Sequence, residues 1–198
     1  MVDNPSLPEP MTEEQLEKIT VGPPPKQLNG PVTLVDYDPN WPRLFLREAE
    51  RITAALGGSA LRVEHVGSTS VPGLVAKPMI DILLVVANSQ NEKAYVPALE
   101  AVGYVLRVRE PDWHEHRMFK GPDNAINLHV FSRDDDEIDR MLIFRDWLRE
   151  NPKERETYAE AKRELARRDW KFTQNYADAK TEVIKAILAK ANDSSIYR

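Results

Sequence analysis

A chain of 198 residues, 41% of them hydrophobic, has room for one domain with a real core and too little for two. Its 27 basic and 32 acidic side chains leave a net charge of −5, which argues against a protein held on duplex nucleic acid by phosphate contacts. The absence of cysteine excludes disulfides, thiolate metal sites and a cysteine nucleophile, so any metal ligand is oxygen or imidazole.

Residues 1–30 are rich in Pro, Glu and polar side chains, and Pro23-Pro24-Pro25 stands near their end, so they read as an appended irregular arm. The start, Met1-Val2-Asp3-Asn4-Pro5, lacks the basic and then apolar pattern of a secretory signal. No later stretch approaches the roughly 20 apolar residues that span a bilayer. The expectation is a soluble cytoplasmic protein with neither membrane nor nucleic acid as partner.

From Val32 the pattern changes. Val32-Thr33-Leu34-Val35 reads as a short strand, and Leu44, Phe45, Ala49, Ile52 and Leu56 recur at helical spacing over Trp41–Leu56, with Gly57-Gly58 as the stop. A strand at Leu61–Val66 leads into a Gly/Ser/Pro segment and then the apolar run Met79–Val86, interrupted by Asp81. A carboxylate inside an otherwise buried strand is costly unless it faces a cleft or binds a partner. A helix around Glu92–Val102, a strand near Tyr104–Arg109 and a hairpin through Arg117–Lys120 and Ile126–Phe131 complete a mixed sheet. The last sixty residues read as three helices: Asp136–Glu150, a second opened by Pro152, and a third from about Asn175 to Ala191. The run Asp134-Asp135-Asp136 stands where it caps the first of them.

The predicted fold class is therefore α+β, a mixed sheet with flanking helices and a C-terminal helical segment. Its domain covers residues 31–191, followed by a tail at 192–198. Charge is uneven along it: residues 1–139 hold 13 basic and 22 acidic side chains, and residues 140–198 hold 14 and 10. A basic helical segment can thus face an anion seated on an acidic body. Two echoes, Tyr158-Ala-Glu-Ala-Lys162 and Tyr176-Ala-Asp-Ala-Lys180, each set a ring and an ammonium on one helix face.

The stretch Glu64-His65-Val66-Gly67-Ser68-Thr69-Ser70 through Lys77-Pro78-Met79-Ile80-Asp81 carries most of the chemistry. A glycine lets backbone approach phosphate oxygens, the next hydroxyl and amides donate to them, and a carboxylate on the following strand can hold the magnesium that bridges them. This run, with Tyr37, Trp41, His116-Arg117, Asn127-Leu128-His129-Val130-Phe131, Phe144-Arg145-Asp146-Trp147-Leu148-Arg149 and the two echoes, resembles the GrpB-like family of the nucleotidyltransferase superfamily over about residues 32–190. Some members of that family look like extra domains attached to dephospho-CoA kinases.

The resemblance implies a nucleotidyltransferase-like sheet and transfer of a nucleotidyl group, adenylyl from ATP in the leading reading, to a small-molecule acceptor that the residues do not identify. The cofactor would be magnesium or manganese. On that scheme Gly67, Ser68, Thr69, Lys77, Arg117, Arg145, Lys162 and Lys180 bind the nucleotide and its phosphates. Asp81, His129 and Glu64 are the catalytic residues, and Asp81 and Glu64 the metal ligands. The superfamily pattern has two acids separated by one residue on this strand, and here the position two before Asp81 is Met79. Glu64 and His129 are the candidates to stand in for the lost ligand, His129 as neutral ligand or general base. The alternative is a nucleotide- or CoA-related binding module with a degenerate, catalytically weak site.

Overall fold

The apolar run ending at Val86 becomes the strand Ile80–Val86, buried along its length except at Asp81. Such a run needs cover on both faces and paired neighbours on both edges. In the computed structural model, which describes residues 9–123 and 125–194, it has both. The strands are β1 (Arg62–Val66), β2 (Ile80–Val86), β3 (Val105–Glu110), β4 (His116–Lys120) and β5 (Ile126–Ser132). They form a five-stranded sheet in the order β1-β2-β5-β4-β3, with β2 and β5 parallel and every other pair antiparallel.

The helices are α1 (Glu13–Ile19), α2 (Trp41–Leu56), α3 (Val96–Ala101), α4 (Asp136–Glu150), α5 (Pro152–Ala166), α6 (Thr173–Asp178) and α7 (Thr181–Asp193). Alternation along the strands sorts the sheet into two faces. Ile80, Ile82, Leu84, Leu128 and Val130 meet Trp41, Ile52 and Leu56 of α2 and Leu99 of α3. Each such side chain, fully buried, stabilises the fold by roughly 1.5–3 kcal/mol. On the other face Val66, Leu83, Val85 and Phe131 pack on Ile138 and Leu142 of α4. The loop residues Val71, Leu74 and Val75 are enclosed by α4, α5 and α7. That face is where Asp81 lies, because its register partner is Val66.

The mixed α+β architecture and the helix Trp41–Leu56 agree with the sequence reading. Gly57 ends that helix at a positive φ of 53°, which glycine adopts without steric cost. Three expectations differ. Val32–Val35 is not a strand: Val35 makes one isolated bridge to the loop residue Ala76, and the Val32 amide donates to the Ala166 carbonyl of α5. The third C-terminal helix is two, α6 and α7, with Lys180 at the break.

The arm is also less irregular than its composition predicts. Thr12 and Gln15 form a capping box, the Gln15 amide donating to Thr12 Oγ1 at 3.2 Å and the Thr12 amide to Gln15 Oε1 at 2.8 Å. The helix α1 that follows buries Leu16, and Thr20 bridges to Val108 on the outer strand β3. An edge that would otherwise offer open backbone groups is thereby partly covered. Among the described residues no helix is long and apolar enough to cross a membrane.

Candidate functional site at Asp81

The strand β1 hands over to Gly67 at φ 68°, and a turn over Ser68–Ser70 follows, closed by Ser70 Oγ donating to the Gly67 carbonyl at 2.6 Å. Because Val66 pairs with Asp81, Gly67 lies against the Asp81 carboxylate. A Cβ at Gly67 would stand 2.5 Å from Asp81 Oδ2. Glycine is required here twice over, for its backbone angle and for its missing side chain.

Amines gather in the neighbourhood of this carboxylate. Lys162 of α5, only 2% exposed, donates from Nζ to Ser68 Oγ at 2.8 Å and also to the Val75 carbonyl. Lys120 of β4 donates to Asn127 Oδ1, and Asn127 Nδ2 donates to Asp81 Oδ1 at 2.7 Å. Lys77 and Lys180 complete a set of four lysines whose charges are felt at Asp81. Burial pushes all four ammonium groups down, Lys162 to about 6, while Asp81 opposes the shift. Burial alone would raise Asp81; His129, Asn127 and Lys180 overcome that and hold the carboxyl below its usual range. Each echo lays its ammonium over its own ring, Lys162 at 5.1 Å from the Tyr158 centroid and Lys180 at 4.7 Å from that of Tyr176.

A second set of groups reaches Asp81 across the sheet. His129 Nε2 is 3.7 Å from Asp81 Oδ1. His129 Nδ1 meets His116 Nε2 at 3.0 Å, and His116 Nδ1 meets Glu110 Oε2 at 2.7 Å. Glu110 pairs directly with His116, while His116 to His129 and His129 to Asp81 are diagonal neighbours.

The other predicted residues are placed elsewhere or occupied. Glu64 shares the Asp81 face, but its carboxylate is held by Arg145 Nη1 at 2.8 Å and Arg62 Nε at 3.0 Å. Burial would raise Glu64; those two guanidinium groups lower it further than burial raises it. Arg145 spends its remaining donors on Asp146 and the His65 carbonyl, so it locks α4 to β1 and is not a phosphate clamp. Arg117 points to the opposite face, where it is buried and paired with Glu92 at 2.5 Å. Its neighbours His116 and Met118 face Asp81, and one residue of register decides between them. The Thr69 hydroxyl is buried between His65 Nε2 at 3.0 Å and the Met79 carbonyl at 3.2 Å.

Asp81, His129, Ser68, Gly67, Lys77, Lys162 and Lys180 are therefore brought together. Lys120, His116 and Glu110 are additions that the sequence reading missed. The signal for two of them was the alternation His116-Met118-Lys120 along β4.

A magnesium pair needs bridging carboxylates, and the donor set does not supply them. Met79 has no oxygen ligand in its side chain, and Glu64 is neutralised by arginines. Asp81 remains as the acid of the site, which fits one cation and not two. Beside Lys77 a cavity of about 260 Å³ opens between Leu28, Pro31 and Val32 on one side and Pro78 and Thr173 on the other. It offers an apolar berth next to the amines.

A family model described as GrpB protein matches residues 31–190. A UPF0157 protein of Halalkalibacterium halodurans is 61% identical over 92% of this chain and 93% of its own. A crystal structure of the conserved protein GrpB from Enterococcus faecalis superposes with a TM-score of 0.71 at 34% identity, covering 80% of this chain and 96% of that one. A protein named dephospho-CoA kinase from Mycolicibacterium paratuberculosis is 32% identical over 70% of this chain but only 40% of its own length.

Proposed function

This chain belongs to the GrpB family, and from that premise we propose that it binds a nucleoside triphosphate, ATP in the first instance, at Asp81 and transfers the nucleotidyl group to a small-molecule acceptor. The observation that carries the reading is that Lys162 donates to Ser68 of the Gly67-Ser68 turn that lies against Asp81, while Lys120 reaches the same carboxylate through Asn127 and Lys77 and Lys180 lie within its field. Even with Lys162 largely neutral, three further amines beside one acid leave an excess of positive charge, which a polyphosphate neutralises. A divalent cation held at Asp81 would offset charge on the phosphate oxygens.

The chain's own part is binding and orientation. Lys162 and Ser68 meet the distal phosphates, Lys77 and Lys180 the remaining oxygens, and the cavity beside Lys77 takes the base or the acceptor. In the transfer, an oxygen or nitrogen of the acceptor bonds to the α-phosphorus and the bond to the bridging oxygen breaks. Pyrophosphate leaves, and the acceptor's proton passes to water. Holding both partners in line supplies most of what such a reaction needs from protein.

A second reading, a nucleotide- or CoA-related binding module without efficient transfer, draws on Met79 and on the arginine-held Glu64. The likeness to part of a dephospho-CoA kinase supports it too.

Calorimetric titration with ATP, with and without magnesium or manganese, tests both. Asp81→Asn is expected to remove the cation-dependent part of the affinity, and unchanged metal dependence would overturn the site. Pyrophosphate release screened over hydroxyl, amine and carboxylate acceptors then separates the readings. Turnover identifies the transferase, tight binding without turnover the module, and no binding of any nucleotide refutes both.

A further inference from the structure

We propose that the cavity between the arm and the Lys77-Pro78 turn is the acceptor subsite, and that the acceptor it takes is a small carboxylic acid with an aliphatic body. The proposal rests on the nucleotidyl-transfer reading for the fate of the acid; the binding of the acid stands on the cavity itself.

Size decides which partner belongs there. The cavity measures about 260 Å³, below the roughly 300–1,000 Å³ of pockets that enclose drug-sized ligands, so it takes the smaller partner and not a purine nucleoside. At about 30 Å³ for a water-sized group, it has room for roughly eight or nine non-hydrogen atoms. Leu28, Pro31, Val32 and Pro78 make its walls apolar, and Leu28 is left 38% exposed, a surface that a ligand's hydrocarbon would cover. Thr33 and Thr173 add hydroxyls, and Lys77 is the one charged group among the described lining residues.

That amine differs from its three companions in having nothing to bond. Lys162 donates to Ser68 and the Val75 carbonyl, Lys120 donates to Asn127, and Lys180 lies over the Tyr176 ring. Among the described residues the half-buried Lys77 ammonium has no hydrogen-bond acceptor and no ion pair, and Asp81 acts on it only through its field. A donor with three hydrogens and no acceptor, at one end of an apolar cavity, is matched by a ligand with an anionic head and a hydrocarbon body. The ammonium repels an amine, and an alcohol makes a weaker bond to it than a carboxylate does. A phosphate ester would bring a second charge into apolar surroundings.

Backbone bonds fix the wall that the arm contributes. The Leu28 amide donates to the Lys171 carbonyl at 2.8 Å and the Val32 amide to the Ala166 carbonyl at 3.0 Å. Leu28 lies outside residues 31–190, which the family model matches, so the arm sets the depth of the aliphatic berth and Leu28 is its specificity-determining residue. With the hydrocarbon in the cavity, the carboxylate lies at Lys77, whose charge is felt at Lys120 and Lys180. Lys77 can hold one carboxylate oxygen and a phosphate oxygen together. The other carboxylate oxygen bonds to the α-phosphorus, the bond from that phosphorus to the bridging oxygen breaks, and its electron pair leaves with pyrophosphate. The product is an acyl adenylate. A carboxylate is ionised at neutral pH, so no proton has to be removed.

Binding is tested first without nucleotide, by calorimetric or NMR titration of the full chain with hexanoate, hexanamide and hexylamine, which share a hydrocarbon chain and differ in the head group. Hexanoate is expected to bind at least about tenfold more tightly than hexanamide, and hexylamine not to bind. Lys77→Met should erase the difference between the first two, and Leu28→Trp, which fills the cavity, should cost hexanoate at least about tenfold. Circular dichroism checks that the variants fold, and the head-group comparison needs no variant. Hexanoate binding no tighter than hexanamide, or indifferent to Leu28→Trp in a folded protein, overturns the proposal.

Exchange of labelled pyrophosphate into ATP, with magnesium or manganese present, tests the transfer. Exchange that needs hexanoate and is absent with hexanol or hexylamine supports the acid as acceptor. Exchange with hexanol or hexylamine alone overturns it and leaves the nucleotidyl-transfer reading intact. ATP and hexanoate both bound without exchange rejects the acid as acceptor. If hexanoate binds as described and no nucleotide does, the nucleotidyl-transfer reading fails and the carboxylate site stands alone.

Discussion

Two clusters of ionisable side chains lie at opposite ends of the parallel pair β2 and β5, and they are built in opposite ways. At the start of β2, Asp81 stands among Lys77, Lys120, Lys162 and Lys180. Beyond the end of β5, His114, Asp135 and Asp136 place three possible ligand atoms within 4.8 Å of one another, beside a cavity of about 380 Å³. By ligand count alone the second cluster is the better metal site.

Hydrogen-bond accounting weakens that claim. Asp135 Oδ1 accepts from the Glu137 amide at 2.9 Å as the N-cap of α4, and the same oxygen meets His114 Nδ1 at 2.9 Å. Its work is to satisfy the open amides at a helix start, where the macrodipole repels a cation. Around Asp81 the charges do not cancel, and burial depresses every amine. The difference teaches that a site announces itself by what is left uncompensated, not by how many ligands stand close together.

Three experiments sharpen or break this contrast. The largest effect is expected from Lys162→Ala, which removes a charge-assisted donor worth about 1.5–3 kcal/mol, or roughly 10- to 150-fold in affinity for tripolyphosphate or ATP. Calorimetry measures it, and a change under threefold would place the anion elsewhere.

Next is the dependence on pH. The Lys162 amine sits at about 6 in the free protein, so above that pH it is largely neutral, and a bound phosphate draws a proton onto it. Affinity should be highest below about pH 6 and fall by up to tenfold per pH unit above it, until the raised pKa of the complex is passed. Proton uptake, seen by repeating the titration in buffers of different ionisation enthalpy, checks the sign. In the free protein the same depression makes stability rise with pH between about 6 and 10.5, because the unfolded chain binds the extra proton in that window.

The smallest effect on ligand is expected at the other cluster. Asp135→Ala should cost about 1 kcal/mol of stability through loss of the cap and leave nucleotide affinity within twofold. Thermal melts and the same titration report the two halves. A large loss of affinity there would invert the comparison.

Sequence made some of this legible for definite reasons. The helix at Trp41–Leu56 has apolar side chains at regular spacing and a glycine to end it, and both signals are local. Gly67, Ser68 and Asp81 were readable because a turn between two strands and an acid in an apolar strand each demand an explanation. What escaped depended on register and on distant partners. Arg117 and His116 are neighbours on one strand, and nothing local says which of them faces Asp81; the pairing of Met118 with His129 decides it. Glu64 shares the face of Asp81, as a ligand there would have to, but Arg145 comes to it from 81 residues away and neutralises it. Lys120 needed its pairing with Asn127, which no periodicity reveals.

The arm has a kinetic consequence. The Met11 amide donates to Asp178 Oδ2, Asn175 Nδ2 donates to the Met11 carbonyl, and Gly30 bridges to Trp170, contacts that span 140 to 167 residues of chain. Closing so long a loop is entropically unfavourable until both ends have structure to meet, which puts arm docking late in folding. Leu28, in the same arm, walls the cavity beside Lys77, and Lys162 and Lys180 arrive with the helices against which the arm docks. On the ribosome, the nascent chain would have its sheet long before it had its pocket. The completed site is therefore a product of the last folding step, and a chain stalled before α5 would present Asp81 without Lys162 or Lys180.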